Sequence, residues 1–375
     1  MKLSYSLRIS FLLLILPSLF PFIVNGQVQD GQVNVVPFLR FTPDARAAAM
    51  GDAGVAIIPD GHASSINASK LPFLPHHSGI SFSYNPWLKN LNAVMHLSYL
   101  SGYLRLSDRS TIAGSLRYFS LGEVQLSDVN QQSLGLYYPN EFAIDGTFSR
   151  KFGPNFGLAT TIRYISSQLF SSDLAMSGRV KASAAVAADV SAYYKWNARL
   201  FHQDVILGTG TNISNIGHKI GSASGTSQYF LPANLKIGTA LTFLLPDANR
   251  FSLALDLNKS LIPNRLSAGE RDGMSVLSAM ALSFADANGT MKAELRDIDM
   301  AMGVEYLFGD TFALRAGYSY QNPDQGNRSY FSFGTGVNYA SLGLNIAYIA
   351  ASQEKSPLAN SLRFSLHFNF DPLPN

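Results

Sequence analysis

The chain contains no cysteine, which excludes a disulfide framework and an N-terminus anchored by lipid on a cysteine. Charge is also scarce. Asp, Glu, Lys and Arg make up 14% of the residues against 47% hydrophobic ones, where soluble domains carry roughly 25% charge. Long apolar runs are missing beyond the N-terminus, and a spanning helix needs about 20 such residues. No linker-like stretch divides the 375 residues, so one domain is expected. Little charge without spanning helices leaves two architectures, a soluble β-protein or a closed barrel that satisfies its backbone hydrogen bonds between strands inside lipid.

The N-terminus narrows this choice. Lys2 and Arg8 precede the apolar run Ile9 to Val24, interrupted by Pro17 and Pro21, and small Gly26 follows. That order predicts a secretory signal peptide over residues 1–26. Its loss would take two of the 28 basic residues and leave 26 against 25 acidic, a net charge of +1. Such a balance offers no field for nucleic acid.

From Ser78 onwards, segments of alternating polarity recur. Phe251, Leu253, Leu255 and Leu257 share one face of a strand, and Ser252, Ala254, Asp256 and Asn258 share the other. The segments Phe142 to Ser149, Asp299 to Phe308 and Leu362 to Phe370 repeat the pattern. About fourteen strands are expected, near 78–84, 93–100, 112–120, 141–150, 155–166, 183–196, 204–214, 233–244, 250–258, 299–308, 311–321, 329–339, 341–350 and 361–370. Their joins alternate short and long, with Gly153-Pro154-Asn155, Pro246 to Asn249, Gly309-Asp310 and Ala340-Ser341 against 121–140, 169–181, 216–232 and 259–298. Short periplasmic turns alternating with long extracellular loops are what an even-stranded outer-membrane barrel requires. The reading is therefore an all-β transmembrane antiparallel β-barrel over 78–375, in the outer membrane of a Gram-negative bacterium, with both termini periplasmic. Tyr84, Tyr118, Tyr164, Tyr194, Tyr306, Tyr320 and Tyr339 fall at strand ends, as aromatic girdles would place them or as strand packing alone would. Residues 27–77 do not look like wall. Ala45 to Met50 reads as a short helix and Pro59-Asp60-Gly61 as a turn, so the segment is expected to fold back as a plug whose Asp44, Arg46 and Asp52 need charged partners. Inward-facing Arg117, Arg163, Asp189, Lys236 and Arg315 are the candidates.

Catalytic and metal patterns are not found. The seven histidines lack ligand spacing, and the expectation is that they are solvated loop residues. Asp286, Glu294, Asp297 and Asp299 interleave with Lys292 and Arg296, as on an exposed charged helix end. Gly208-Thr209-Gly210-Thr211 and Gly334-Thr335-Gly336 fall inside strands rather than before helices, which suits strand curvature or close approach of the plug rather than phosphate binding. No cofactor and no metal site are expected.

Phe38 to Ala56, with Pro43, Asp44, Arg46, Met50, Gly51, Asp52 and Gly54, resembles the N-terminal signature of the PorV family of type IX secretion barrels, relatives of the FadL fatty-acid transporters. Asn67 opens a further matching stretch, Asn67-Ala68-Ser69-Lys70, where relatives usually have Asn-Pro-Ala-Lys. The similarity continues through Ser283 to Gly289, Phe312 to Tyr318, Gly326 to Phe331 and Pro357 to Phe364. This resemblance implies fourteen strands. It also implies a non-enzymatic carrier that binds the C-terminal signal domain of secreted cargo and passes it from the translocon to the surface-attachment complex. Its partners would be cargo, translocon and attachment proteins, and outer-membrane lipid. Two other tasks remain open, a FadL-like channel for hydrophobic small molecules and an enzyme acting on lipopolysaccharide. Loop residues Met274, Leu277, Met280, Phe284 and Asp286, then Gly326, Asn327 and Arg328, then Pro357, Leu358 and Asn360, are the candidate partner contacts.

Overall fold

A computed structural model describes residues 35–87, 95–127, 132–169, 182–221, 228–263, 270, 273–285, 296–322, 329–351 and 361–371. The expected signal peptide lies outside them. The first strands are β1 (Ser78–Trp87), β2 (Met95–Arg105), β3 (Ser110–Ser120), β4 (Val124–Ser127), β5 (Ser133–Tyr137) and β6 (Asn140–Phe152). Next come β7 (Phe156–Ser167), β8 (Ser183–Leu200), β9 (Gln203–Gly217), β10 (Ile220–Gly221), β11 (Gln228–Tyr229) and β12 (Asn234–Leu244). The chain finishes with β13 (Arg250–Ser260), β14 (Ile298–Phe308), β15 (Phe312–Tyr320), β16 (Tyr330–Tyr339), β17 (Leu342–Ala351) and β18 (Ser361–Phe370). Among the described residues two short α-helices have full ranges, α1 (Ala45–Ala49) and α2 (Val276–Leu282).

Fourteen of these strands close one antiparallel barrel in the order β1-β18-β17-β16-β15-β14-β13-β12-β9-β8-β7-β6-β3-β2. The ring is sealed where Ser78 pairs with Phe370 and Tyr84 with Phe364, so no strand edge is left facing lipid along the wall. Each of the fourteen strands read from the sequence is present. The additions are two small hairpins inside the long connections, β4 with β5 and β10 with β11.

The two faces of the wall are inverted relative to a soluble core. On β13, Ser252, Ala254 and Asp256 are buried inside while Leu253 and Leu257 are exposed outside. Leu100 and Leu116, Ile144 and Ile162, and Met302 and Leu344 are likewise exposed on outer faces. Apolar exterior with polar interior is stable only where the exterior meets hydrocarbon. Register then places opposite charges side by side. Arg163 faces Asp145 and Arg315 faces Glu305 across adjacent strands, with closest N–O distances of 2.8 and 2.6 Å.

Aromatic pairs collect at both ends of the wall. Phe152–Phe156, Tyr194–Trp196 and Phe308–Phe312 lie at the end with short turns. Tyr84–His96, Phe142–Tyr164 and Tyr318–Phe331 lie towards the end with long loops. Two such bands are where headgroups meet amphipathic rings.

Candidate functional site

The lumen face meets the segment that precedes β1. Val35 and Val36 pack with Ile165, Ala185 and Ile220 at the long-loop end. Leu71 and Leu74 pack with Tyr103 and Ala159 at the short-turn end, where Arg105 donates to the Leu74 carbonyl. The segment therefore runs along the inside of the barrel from one end to the other. Ser78 and Phe370 share the short-turn end, as expected, but the first described residue, Val35, lies at the opposite end.

Small residues make the passage possible. Asp44 caps α1, its carboxylate accepting from the Arg46 and Ala47 amides at 3.0 and 3.1 Å, and Ala45, Ala47, Ala48 and Ala49 are all buried. Pro43 precedes the cap, and its carbonyl accepts from Asn85 of β1 at 3.1 Å. Glycines of the wall face this helix. A Cβ at Gly303 would lie 2.5 Å from the Met50 Cβ, and one at Gly334 would lie 2.5 Å from the Ala49 Cβ. Gly51, at φ +71, sits so close to the Tyr318 backbone that its own Cβ would be 2.7 Å away. Any larger residue there meets both steric exclusion and left-handed strain. The Gly-Thr-Gly repeats inside strands thus have their reason, since Gly208, Gly210 and Gly334 lie against the backbone or side chains of residues 49–56.

Charged groups fix the segment in register. Arg46 forms two bonds to Glu305 of β14, at 2.8 and 2.7 Å, and a third to Asp60 at 2.9 Å. Glu305 also accepts from Arg315. Asp52 lies 3.5 Å from Arg363 and accepts from the Tyr330 hydroxyl, and its carbonyl accepts from Lys236 at 3.3 Å. Asp256 of β13 takes the Gly54 and Val55 amides at 2.8 and 2.9 Å. Asn67 donates to the Val55 and Ala192 carbonyls at 2.8 and 3.1 Å. Arg117 donates to the Phe38 and Leu39 carbonyls. Burial alone would raise the Asp60 carboxyl, but the neighbouring Arg46 guanidinium overrides it and holds the group below the usual carboxylate range. Burial also pulls the Lys70 ammonium down to about 8, while its proton is held by the Gly54 carbonyl at 2.6 Å.

Of the wall cations expected to pair with the segment, Arg315, Lys236 and Arg117 reach it directly or through Glu305. Arg163 instead spans Asp145 and Asp189 within the wall. The sequence reading missed Glu305, Asp256 and Arg363 as partners, although their inward parity on strands was a usable signal. His62 corrects the expectation of solvated histidines, since it is fully buried with its ring 5.9 Å from that of His367. Asp299, read both as the start of a strand and as part of a charged helix end, belongs to strand β14 and lies 3.9 Å from Arg40.

Above the segment, towards the long loops, a cavity of about 170 Å³ is lined by Arg117, Arg163, Asp189, Asn212, Lys236 and Asp256 among others. Its charged lining does not suit an apolar solute. On the loop surface, α2 is capped by Ser275, which accepts from the Ser278 amide at 3.1 Å. Ala279 is buried and Met274 and Met280 are half-buried, while Leu277 is 71% and Phe284 52% exposed. Phe284 rests against the Lys259 ammonium at the top of β13. The other loop candidates, Asp286, Gly326, Asn327, Arg328, Pro357, Leu358 and Asn360, lie outside the described residues.

Comparison with known proteins places these features in context. A family model described as type IX secretion system protein PorV matches residues 25–267. No curated protein matches the chain. Among solved structures, the Pseudomonas putida toluene transporter TodX is 13% identical, with a TM-score of 0.52 over 86% of this chain and 97% of its own. The Ralstonia pickettii toluene transporter TbuX is 11% identical, with a TM-score of 0.50 over 88% and 98%. These likenesses establish a shared barrel fold.

Proposed function

The chain belongs to the PorV family of type IX secretion system proteins, and from that premise we propose that it is a non-enzymatic carrier of secreted cargo. It is an outer-membrane component of that system, and its partners are secretion-system proteins and their cargo. In the proposed reading it binds the C-terminal signal domain of cargo at its long-loop end and passes it from the translocon to the attachment complex. The observation that carries this is the family match across the N-terminal segment and most of the barrel. Residues 35–77 act as a plug, anchored to the wall by Arg46 on Glu305 and braced within itself by Arg46 on Asp60, with Pro43, Met50, Gly51, Gly54 and Asn67 setting its path. With the lumen so filled, binding falls to the outer surface, and α2 with Met274, Leu277, Met280 and Phe284 offers apolar side chains there. Orientation follows from the turns, with the short-turn end periplasmic and the long loops extracellular.

The toluene transporters share the fold, which keeps a channel for small hydrophobic molecules as the second reading. The charged lining of the lumen cavity favours the carrier, and an apolar hollow of about 470 Å³ beside Phe156, Tyr194, Ile237, Leu255 and Leu257 is the feature that favours the channel. The test is direct binding of a purified cargo signal domain to the barrel in detergent or nanodiscs. Saturable binding that is lost on deleting residues 274–284 is expected. Absence of binding by the intact barrel, together with saturable uptake of an aromatic hydrocarbon into liposomes containing it, would replace this reading with the channel.

A further inference from the structure

The β8–β9 hairpin is longer than the wall requires. β7 stops pairing with β8 at Phe156–Tyr194, and the Lys195 amide reaches the Asn155 carbonyl at 2.9 Å. Beyond that point Trp196 to Leu200 pair with β9 alone, down to Leu200–Gln203. Five residues of extended chain at about 3.3 Å each carry the tip well past the neighbouring turn. Side-chain and amide directions alternate along a strand, so the N–H and C=O groups of Asn197 and Arg199 point the same way as those of Lys195. Among the described residues no strand meets them, and an exposed strand edge is a template for another strand.

The tip itself is built against turn preference. Leu200–Gln203 closes a two-residue loop in which Phe201 has φ +50 and His202 φ +65. A loop with both residues left-handed favours Asn-Gly or Asp-Gly, and an aromatic residue with positive φ is uncommon and strained. Phe201 is 82% exposed, so its ring gains nothing from packing on its own chain. The hairpin is nonetheless braced near the tip by Arg199 and Asp204 at 3.5 Å. Around the free edge cations outnumber anions, with Lys195 and exposed Arg199 on β8, Lys151 on β6 and Arg109 on the β2–β3 turn against Asp108 and Asp204. The Lys195 ammonium lies 5.1 Å from the Phe73 ring centre, and the Lys151 amide bonds the Arg109 carbonyl at 2.8 Å.

We infer that the β8–β9 hairpin is a docking element for a periplasmic protein, which adds an acidic extended segment to the free edge of β8 and takes the Phe201 ring into an apolar pocket. Strand addition supplies main-chain hydrogen bonds and the side-chain pocket supplies choice of partner. The cationic edge selects acidic segments and repels basic ones. This rests on the short-turn end being periplasmic, which has its own test. The chain has no cysteine, so Phe201→Cys gives a unique thiol, and a membrane-impermeant maleimide should leave it unlabelled on intact cells.

Docking is tested in cells by placing a photoreactive phenylalanine analogue at position 201 of the full-length barrel, with the same residue at Tyr339 on another short turn as comparison. Assembly of each variant is checked by heat-modifiable gel mobility. The expected result is one discrete protein adduct at 201 and none at 339. The adduct should vanish when Asn197→Pro removes an edge amide, and persist when Ser191→Ala alters the wall far from the tip. A lipid adduct alone, no adduct, or a protein adduct that survives Asn197→Pro would each overturn the inference.

Discussion

Glu305 holds two guanidinium groups at once, Arg46 from the inner segment at 2.7 Å and Arg315 from the neighbouring strand at 2.6 Å. Removing the shared carboxylate would leave two buried cations with too few partners, and breaking a buried pair costs about 3–5 kcal/mol. Glu305→Gln is therefore expected to lower the temperature at which the barrel loses its folded gel mobility. Melting together with wild type would mean that this contact does not hold the segment. Acid should act differently. The depressed Asp60 carboxyl adds stability that is complete above its unfolded value near 4 and is lost as pH falls through its lower folded value. Asp60 thus stays ionised beside Arg46 at pH 4, and bilayer conductance should remain as low there as at pH 7. Steps of conductance appearing by pH 4 would show that the bond to Asp60 had released. At this scale the sequence was only partly legible. The need of Asp44, Arg46 and Asp52 for partners followed from charge among small residues, but the partners did not, because Glu305 and Arg363 lie hundreds of residues away and are set by strand register.

Elements were read more fully. The fourteen wall strands were visible because one face must meet lipid and the other must not, which imposes a period of two over each strand. The hairpins β4–β5 and β10–β11 were not, since short strands outside the bilayer carry no such pattern. Glycines in β9 and β16 were read as curvature or close approach, and close approach is what Gly208, Gly210 and Gly334 provide, as do Gly303 of β14 and Gly317 of β15, which carried no signal of their own. Gly317 faces Met50 and Gly51 without room for a Cβ. Gly317→Val should displace α1 from the wall without altering any charge, seen as rapid proteolysis near residue 46 in an otherwise assembled barrel. Protection equal to wild type would show that the wall yields instead. α2 appeared in the sequence only as apolar residues in a long loop. Deleting residues 274–284 should leave assembly intact and reduce cargo binding severalfold, and unchanged cargo attachment at the surface would remove α2 from the account.

For the molecule as a whole, the inner segment enters at the long-loop end and leaves at the short-turn end, so both ends of the lumen are contacted by one stretch of chain. Removing residues 33–77 should convert a quiet barrel into one with large steady conductance in planar bilayers, and a deletion variant as tight as wild type would mean that something else fills the lumen. The family and the barrel were legible from the N-terminal signature and the strand alternation. The direction of the inner segment was not, because nothing in composition or periodicity says which end of a barrel a preceding segment enters. The central claim is that this barrel carries secreted proteins rather than nutrients, and deletion of its gene tests it most directly. Type IX cargo should then accumulate in the periplasm or on the translocon while growth on long-chain fatty acids is unchanged. Cargo reaching the surface unimpaired while that growth fails would contradict the claim.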